Sequence, residues 1–100
     1  MQITLSECKR HLNIEPSFHE DDEYILTLAQ AAEDIFERHT DRKISEIITG
    51  GNIPASARHC LLLLVAQLYA NREGTCFASV SEMPFSIQYL IALNRKYSVG

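Results

Sequence analysis

Residues Pro54 to Gly74, PASARHCLLLLVAQLYANREG, decide the fold. Proline suits the first position of a helix, where its missing N–H is an orphan in any case. Glycine suits the left-handed conformation that commonly ends one. Between them, Cys60-Leu61-Leu62-Leu63-Leu64-Val65-Ala66 is apolar on every side of a helix. A helix of that kind has to be enclosed by other helices or by lipid. At about 1.5 Å per residue this apolar run reaches only about a third of a bilayer core, so lipid is the poorer solution. The stretch therefore predicts the buried central helix of a small all-α fold.

The rest of the chain is read outward from that helix. One hundred residues, 46% of them hydrophobic, suit one domain over 1–100 with a core of its own. A chain this short leaves much apolar surface outside, which a partner could cover. No run has membrane-spanning length, and Met1-Gln2-Ile3-Thr4 lacks the basic start of a signal peptide, which predicts synthesis and retention in the cytosol. Cys8, Cys60 and Cys76 are an odd count with no CxxC pair. They read as small reduced hydrophobes and not as a disulfide framework.

Upstream, Thr4-Leu5-Ser6-Glu7 is a capping box. Leu5, Cys8 and Leu12 then form the apolar stripe of a short helix within 4–13. Pro16 disfavours helix at Glu15, so 13–17 is a break. A second helix, 20–41, opens on Glu20-Asp21-Asp22-Glu23, carboxylates that suit the positive end of its dipole. Ile25, Leu28, Ala32, Ile35, Phe36 and His39 give it a core-facing stripe. Lys43 to Ile53 carries the β-branched Ile44, Ile47 and Ile48 and the tip Gly50-Gly51-Asn52. It predicts an extended loop between the second and third helices, and any strand in it would have to pair with another copy. The third helix is 54–73. After a loop, a fourth helix over 86–96, capped by Ser86, turns Ile87, Leu90, Ile91 and Leu93 inward.

Chemistry-bearing clusters are sparse. Cys8 with His11 and His59 with Cys60 do not give the three or four converging ligands that zinc requires. The acidic run at 20–23 crowds one helix start, whereas carboxylate catalysis needs unlike environments. Ser6, Ser56 and Ser86 sit where caps or first-turn residues belong, and there is no G-x-S-x-G turn and no glycine-rich phosphate loop. No catalytic, metal or cofactor residue is expected. The net charge of −4 disfavours tight nonspecific DNA binding. Lys9-Arg10, Arg42-Lys43 and Arg95-Lys96 are separated pairs near helix ends and make no basic stripe. Arg72-Glu73 lies where the buried helix surfaces; a solvated helix end and a contact with a neighbouring subunit fit it equally.

Four ordered pieces carry a family resemblance. Ile3 to Ile14 resembles an opening "hT-L-x-E-x-K-x-H-L-x-I". Asp21-Asp22, Ile25, Ala31-Ala32 and Phe36 are similar to a long second helix. Pro54, Ala57 and Leu61 to Tyr69 with Asn71-Arg72-Glu73 match "P-x-x-h-x-x-A-h-L-L-h-A-x-L-Y-x-N-R-E". Met83-Pro84-Phe85-Ser86 and Leu90 resemble the ending "lPfgv…Ll". Spanning residues 3–96, they resemble the head–tail connector, or DNA-packaging adaptor, proteins of long-tailed phages and prophages. There are two departures: Ser86 stands where glycine often follows Pro-Phe, and Asp41 stands in a corner where Thr-Gly-Arg is common.

The resemblance implies a structural virion protein and not an enzyme. It implies a homo-oligomeric ring beneath the portal that continues the DNA channel and joins the filled head to tail-completion proteins. DNA would pass without sequence-specific binding, and assembly would take place in the host cytoplasm. An acidic channel wall suits sliding DNA. The contact residues expected toward a neighbour or the portal are Ile44, Ile47, Ile48, Arg72, Glu73 and Phe85. The alternatives are a small DNA-packaging accessory or helical DNA-binding protein, marked by salt-sensitive binding, and a small metal-dependent enzyme, marked by stoichiometric metal.

Overall fold

The computed structural model describes residues 3–48, 50–70 and 84–95. Among them are five helices and no strand: α1 (Leu5–His11), α2 (Asp22–Thr40), α3 (Ile44–Ile47), α4 (Ala55–Ala70) and α5 (Phe85–Asn94). The architecture is all-α, as the central stretch predicts, with one helix more than the four expected.

The capping box closes α1 as the residue types require. The Thr4 hydroxyl accepts the Glu7 N–H at 3.1 Å, and the Glu7 carboxylate accepts the Thr4 N–H at 3.1 Å. At the other end, Asn13 is left-handed (φ 60), the Ile14 N–H donates to the Lys9 carbonyl at 2.8 Å, and the Asn13 N–H donates to Arg10 at 3.2 Å. This pair of bonds is a Schellman stop. The helix therefore ends on Asn13 before Pro16 has any influence. Asp41 ends α2 in the same conformation, with φ 56 and ψ 35. The left-handed corner survives without glycine because Asp, like Asn, tolerates it.

The segment expected to be extended is instead part helix. Glu37 supplies the reason: its carboxylate accepts the Ile44 N–H at 2.8 Å, capping a single turn. That turn brings Ile44 and Ile47, three residues apart, onto one inward side, where they are 6% and 7% exposed. Burial and a cap override β-branched propensity here. Beyond the turn, Gly50 and Gly51 adopt φ 62 and 84 with open space around them, so this corner needs glycine for its backbone and not for clearance.

Helix α4 lies along α2 with the chain reversed. The Tyr69 hydroxyl near its end donates to Asp21 before the start of α2 at 2.7 Å, and Tyr69 lies against Tyr24 with ring centroids 6.2 Å apart. Arg58 ties α4 to α1, donating to both Glu7 oxygens at 3.0 and 2.9 Å. Buried Asn94 ties the end of α5 to the start of α4 through Ser56 at 3.3 Å.

Cys60, Leu61, Leu64 and Val65 are fully buried together with Ile25, Ala32 and Phe36. Leu68, one turn beyond Leu64, is half-buried and packs against them. Three further expectations fail. Ser86 does not cap the last helix, because α5 starts at Phe85 with Pro84 at its N-cap. The greasy helix is not enclosed all round, because Leu62, Leu63 and Ala66 on its other side are only half-buried. Leu93 does not face inward but is 58% exposed. The inner face of α5 is Ile87, Ile91 and Asn94, and Leu93 lies about 200° round the helix from Ile91.

Candidate functional site

Three places on the surface combine exposed apolar side chains with a rigid support. The first is α5. Phe85, Tyr89 and Leu93 recur every fourth residue and are 80%, 56% and 58% exposed. That spacing puts them in one row along the outer side of the helix. The helix carries no charged residue over its ten positions. Its inner side is held by Ile87 and Ile91 and by the Asn94 amide, which donates to Ser56 and, at 2.9 Å, to the Leu90 carbonyl. The row therefore stands on a fixed base.

The second place is the corner after α3. Ile48 is exposed, whereas Ile44 and Ile47 of the same segment are buried in the chain's own core. Of the three isoleucines expected to meet a partner, Ile48 alone presents its side chain outward. Next to this corner, Asn52, Ile53, Ala55, Arg58, His59 and Leu62 line a hollow of about 350 Å³. His59 stands on its rim, with its ring 6.4 Å from that of His11.

The third place is the loop between α1 and α2. Lys9 is only 5% exposed. Its ammonium donates to the carbonyls of Pro16 (3.2 Å) and Phe18 and to the Asp22 carboxylate at 2.9 Å. One buried cation thus gathers the loop against the start of α2 and leaves Phe18 39% exposed. A cavity of about 540 Å³ opens beside it, lined in part by Leu5, Arg10 and Ile14. Asp22 also accepts from His19 at 2.9 Å. The hydrogen bond from Lys9, and then the one from His19, holds the Asp22 carboxyl below the usual carboxylate range.

The arrangement of titratable groups is structural in kind. Burial pushes the Glu7 carboxyl up, but the Thr4 backbone hydrogen bond and the Arg58 guanidinium outweigh it and leave the group lowered. Desolvation raises Cys8 to about 11, helped by the Glu7 charge, and raises Cys60 to about 12. Both are buried free thiols, and at neutral pH neither is a ready nucleophile. Among the described residues, no three histidines, cysteines or carboxylates gather in a way that could hold a metal ion. No helix among them is long and apolar enough to cross a membrane.

Of the residues expected at a contact surface, Phe85 and Ile48 are exposed, Ile44 and Ile47 are internal, and Arg72 and Glu73 lie outside the described residues, as does Cys76. Sequence reasoning missed Tyr89 and Leu93. The i, i+4, i+8 recurrence with Phe85 was the available signal, but Leu90 and Leu93 also fit an inward pattern, and the rotation of the helix is fixed by the burial of Ile87, Ile91 and Asn94 together.

No curated protein matches the chain by sequence. Among solved structures, the crystal structure of bacteriophage HK97 gp6 is similar in fold, with a TM-score of 0.74 at 24% identity over 95% of this chain and 94% of that one. The family model of phage gp6-like head-tail connector proteins matches residues 2–95. With that match running from the Thr4 capping box to the end of α5, the chain belongs to the phage gp6-like head-tail connector family and is a structural component of the virion's head–tail junction.

Proposed function

We propose that this chain acts as one connector domain that assembles into a homo-oligomeric ring beneath the portal. There it continues the DNA channel of the filled head and presents a docking surface to tail-completion proteins. The observation that carries this reading is the family match over residues 2–95. Two physical features support it. The chain bears uncovered apolar side chains at Phe18, Ile48, Phe85, Tyr89 and Leu93, which suits a protein that works in an assembly. Its net charge of −4 suits a wall past which DNA slides without adhering. Contacts to a neighbour or the portal are carried by Ile48 and Phe85 and by the Arg72-Glu73 pair. Ile44 and Ile47 take part only indirectly, by holding the corner that presents Ile48. Assembly takes place in the bacterial cytoplasm before the particle is complete.

A prophage lacking this gene provides the test. After induction, heads should fill with DNA but fail to retain it or to join tails, and plaque-forming particles should be lost. Infectious particles formed in its absence would overturn the connector role.

A further inference from the structure

The N-terminal arm, residues 3–20, is fastened differently from the rest of the molecule. The body of α2, α4 and α5 closes on apolar side chains: Ile25, Phe36, Leu61, Leu64, Val65 and Ile87 are at most 1% exposed. Of the arm's apolar side chains, Ile3 and Cys8 reach that depth, whereas Leu5, Leu12 and Ile14 are half-buried. Two ion pairs supply the rest of the hold. Glu7 takes Arg58 of α4 through both carboxylate oxygens, and Lys9 takes Asp22 at the start of α2 at 2.9 Å. The anions of these pairs are 29% and 24% exposed, so water competes at both. Next to the second pair, α1 and the loop after it leave the cavity of about 540 Å³ between them, so the arm adds little close packing there.

We infer that residues 3–20 form a strap on two ionic catches, which lifts from α2 and α4 as a unit while the body stays folded. Proteins open locally in cooperative units, and a unit with few buried apolar contacts opens before the core does. This unit is continuous in sequence, joins the body at one crossing into α2, and commits two deeply buried apolar side chains to the core. Lifting parts Glu7 from Arg58 and Lys9 from Asp22, and it uncovers Ile3 and Cys8. The lifted form therefore presents a surface that the closed domain lacks, on the side of α4 where Arg58 sits. Charge sets the balance between the two forms. Neutralising either catch favours the lifted form. A cavity made inside the body weakens the closed and lifted forms alike and leaves their balance unchanged. The device is independent of the ring reading above.

Alkylation of Cys8 in the full chain tests this. Cys76, outside the described residues, is changed to Ser. Iodoacetamide modification of Cys8 is followed by mass spectrometry in urea below the unfolding transition. Amide exchange over 61–65, measured in parallel, reports opening of the body. Fraying of a short helix exposes amides but not a side chain that is 1% exposed, so Cys8 reports lifting. Cys8 should become accessible about tenfold or more often than the amides of 61–65, with a shallower urea dependence because less surface is uncovered. Glu7→Gln, which keeps the acceptor of the capping box, and Asp22→Asn should each quicken Cys8 labelling by about twofold or more. Ile91→Val, a mild change inside the body, should speed exchange over 61–65 by about two- to tenfold and leave Cys8 labelling as it was. Cys8 labelling with the urea dependence of 61–65, labelling that ignores both charge-removing variants, or labelling quickened by Ile91→Val as much as the amides are would each overturn the inference. Those outcomes leave the connector role standing, because that role falls only if particles without the protein are infectious.

Discussion

Lys9 shows how one side chain can organise a segment that has no secondary structure. Its ammonium is buried, and the carbonyls of Pro16 and Phe18 and the Asp22 carboxylate surround it. Replacing it with methionine keeps the stem's packing and removes the donors, which should cost about 1–3 kcal/mol by urea unfolding. Proteolytic cleavage within 14–20 should also quicken. Asp22 and Glu7 give this residue-scale picture a pH dependence. Both carboxyls titrate lower in the folded chain than in the unfolded one. Each therefore adds stability above the ordinary carboxylate value of about 4, and that stability is lost as pH falls through the lowered folded value. Unfolding midpoints should be flat from pH 7 to about pH 5 and drop below about pH 4. The drop should be shallower in Asp22→Asn. An equally steep drop in that variant would remove Asp22 from the account. Asp41 offers a backbone test: Asp41→Gly should hold or raise stability, and Asp41→Ala should lower it by about 1 kcal/mol, because the position is left-handed.

At the scale of elements, α4 is the member whose loss should be felt most. Leu64 is fully buried among Phe36, Leu61 and Val65, so Leu64→Ala should lower stability by about 2–5 kcal/mol through the cavity it leaves. A Leu64→Asp chain that folded normally would mean that α4 is not central. Much of this was legible in the sequence. The capping box, the stripe of α2 and the position of the central helix follow from local patterns that report burial directly. The misreadings share a cause. Ile44 and Ile47 look like strand residues by propensity, and only a carboxylate seven residues upstream, on another helix, turns them into a capped helical turn. Leu93 fits an inward face as well as an outward one. Its direction is set by the burial of Ile87 and Ile91 together with Asn94, a polar residue that no hydrophobic pattern places in the interior. The candidate surface was less legible than the fold for the same reason. Which apolar residues are left outside depends on helix rotation, and rotation is settled by contacts distant in sequence.

For the molecule as a whole, the question is what the uncovered surface meets. If DNA were the partner, binding would have to come from cations, yet the chain is net acidic and two of its cations, Lys9 and Arg58, are engaged by Asp22 and Glu7. Purified protein should therefore not retard linear DNA in a gel at low salt, and a retardation that fades with added salt would favour the DNA-binding alternative. The assembly reading makes a sharper demand. Removing the whole segment 44–52 would be uninformative, because it takes Ile44 and Ile47 out of the core and would unfold the chain. Single changes on the exposed side chains avoid that difficulty. Phe85 is 80% exposed, so Phe85→Asp should leave the unfolding free energy within about 0.5 kcal/mol of the parent, as surface changes usually do. In a prophage, the same change should bury a carboxylate at a contact and stop tail joining. Ile48→Asp should act in the same direction, and Gln30→Asp, on the exposed side of α2, should leave titres unchanged. Filled, tailless heads from the first two and normal phage from the third would locate the working surface at α5 and the corner after α3. Normal titres from both Phe85→Asp and Ile48→Asp would move that surface elsewhere on the molecule, with the Lys9-held loop and Phe18 the next place to look.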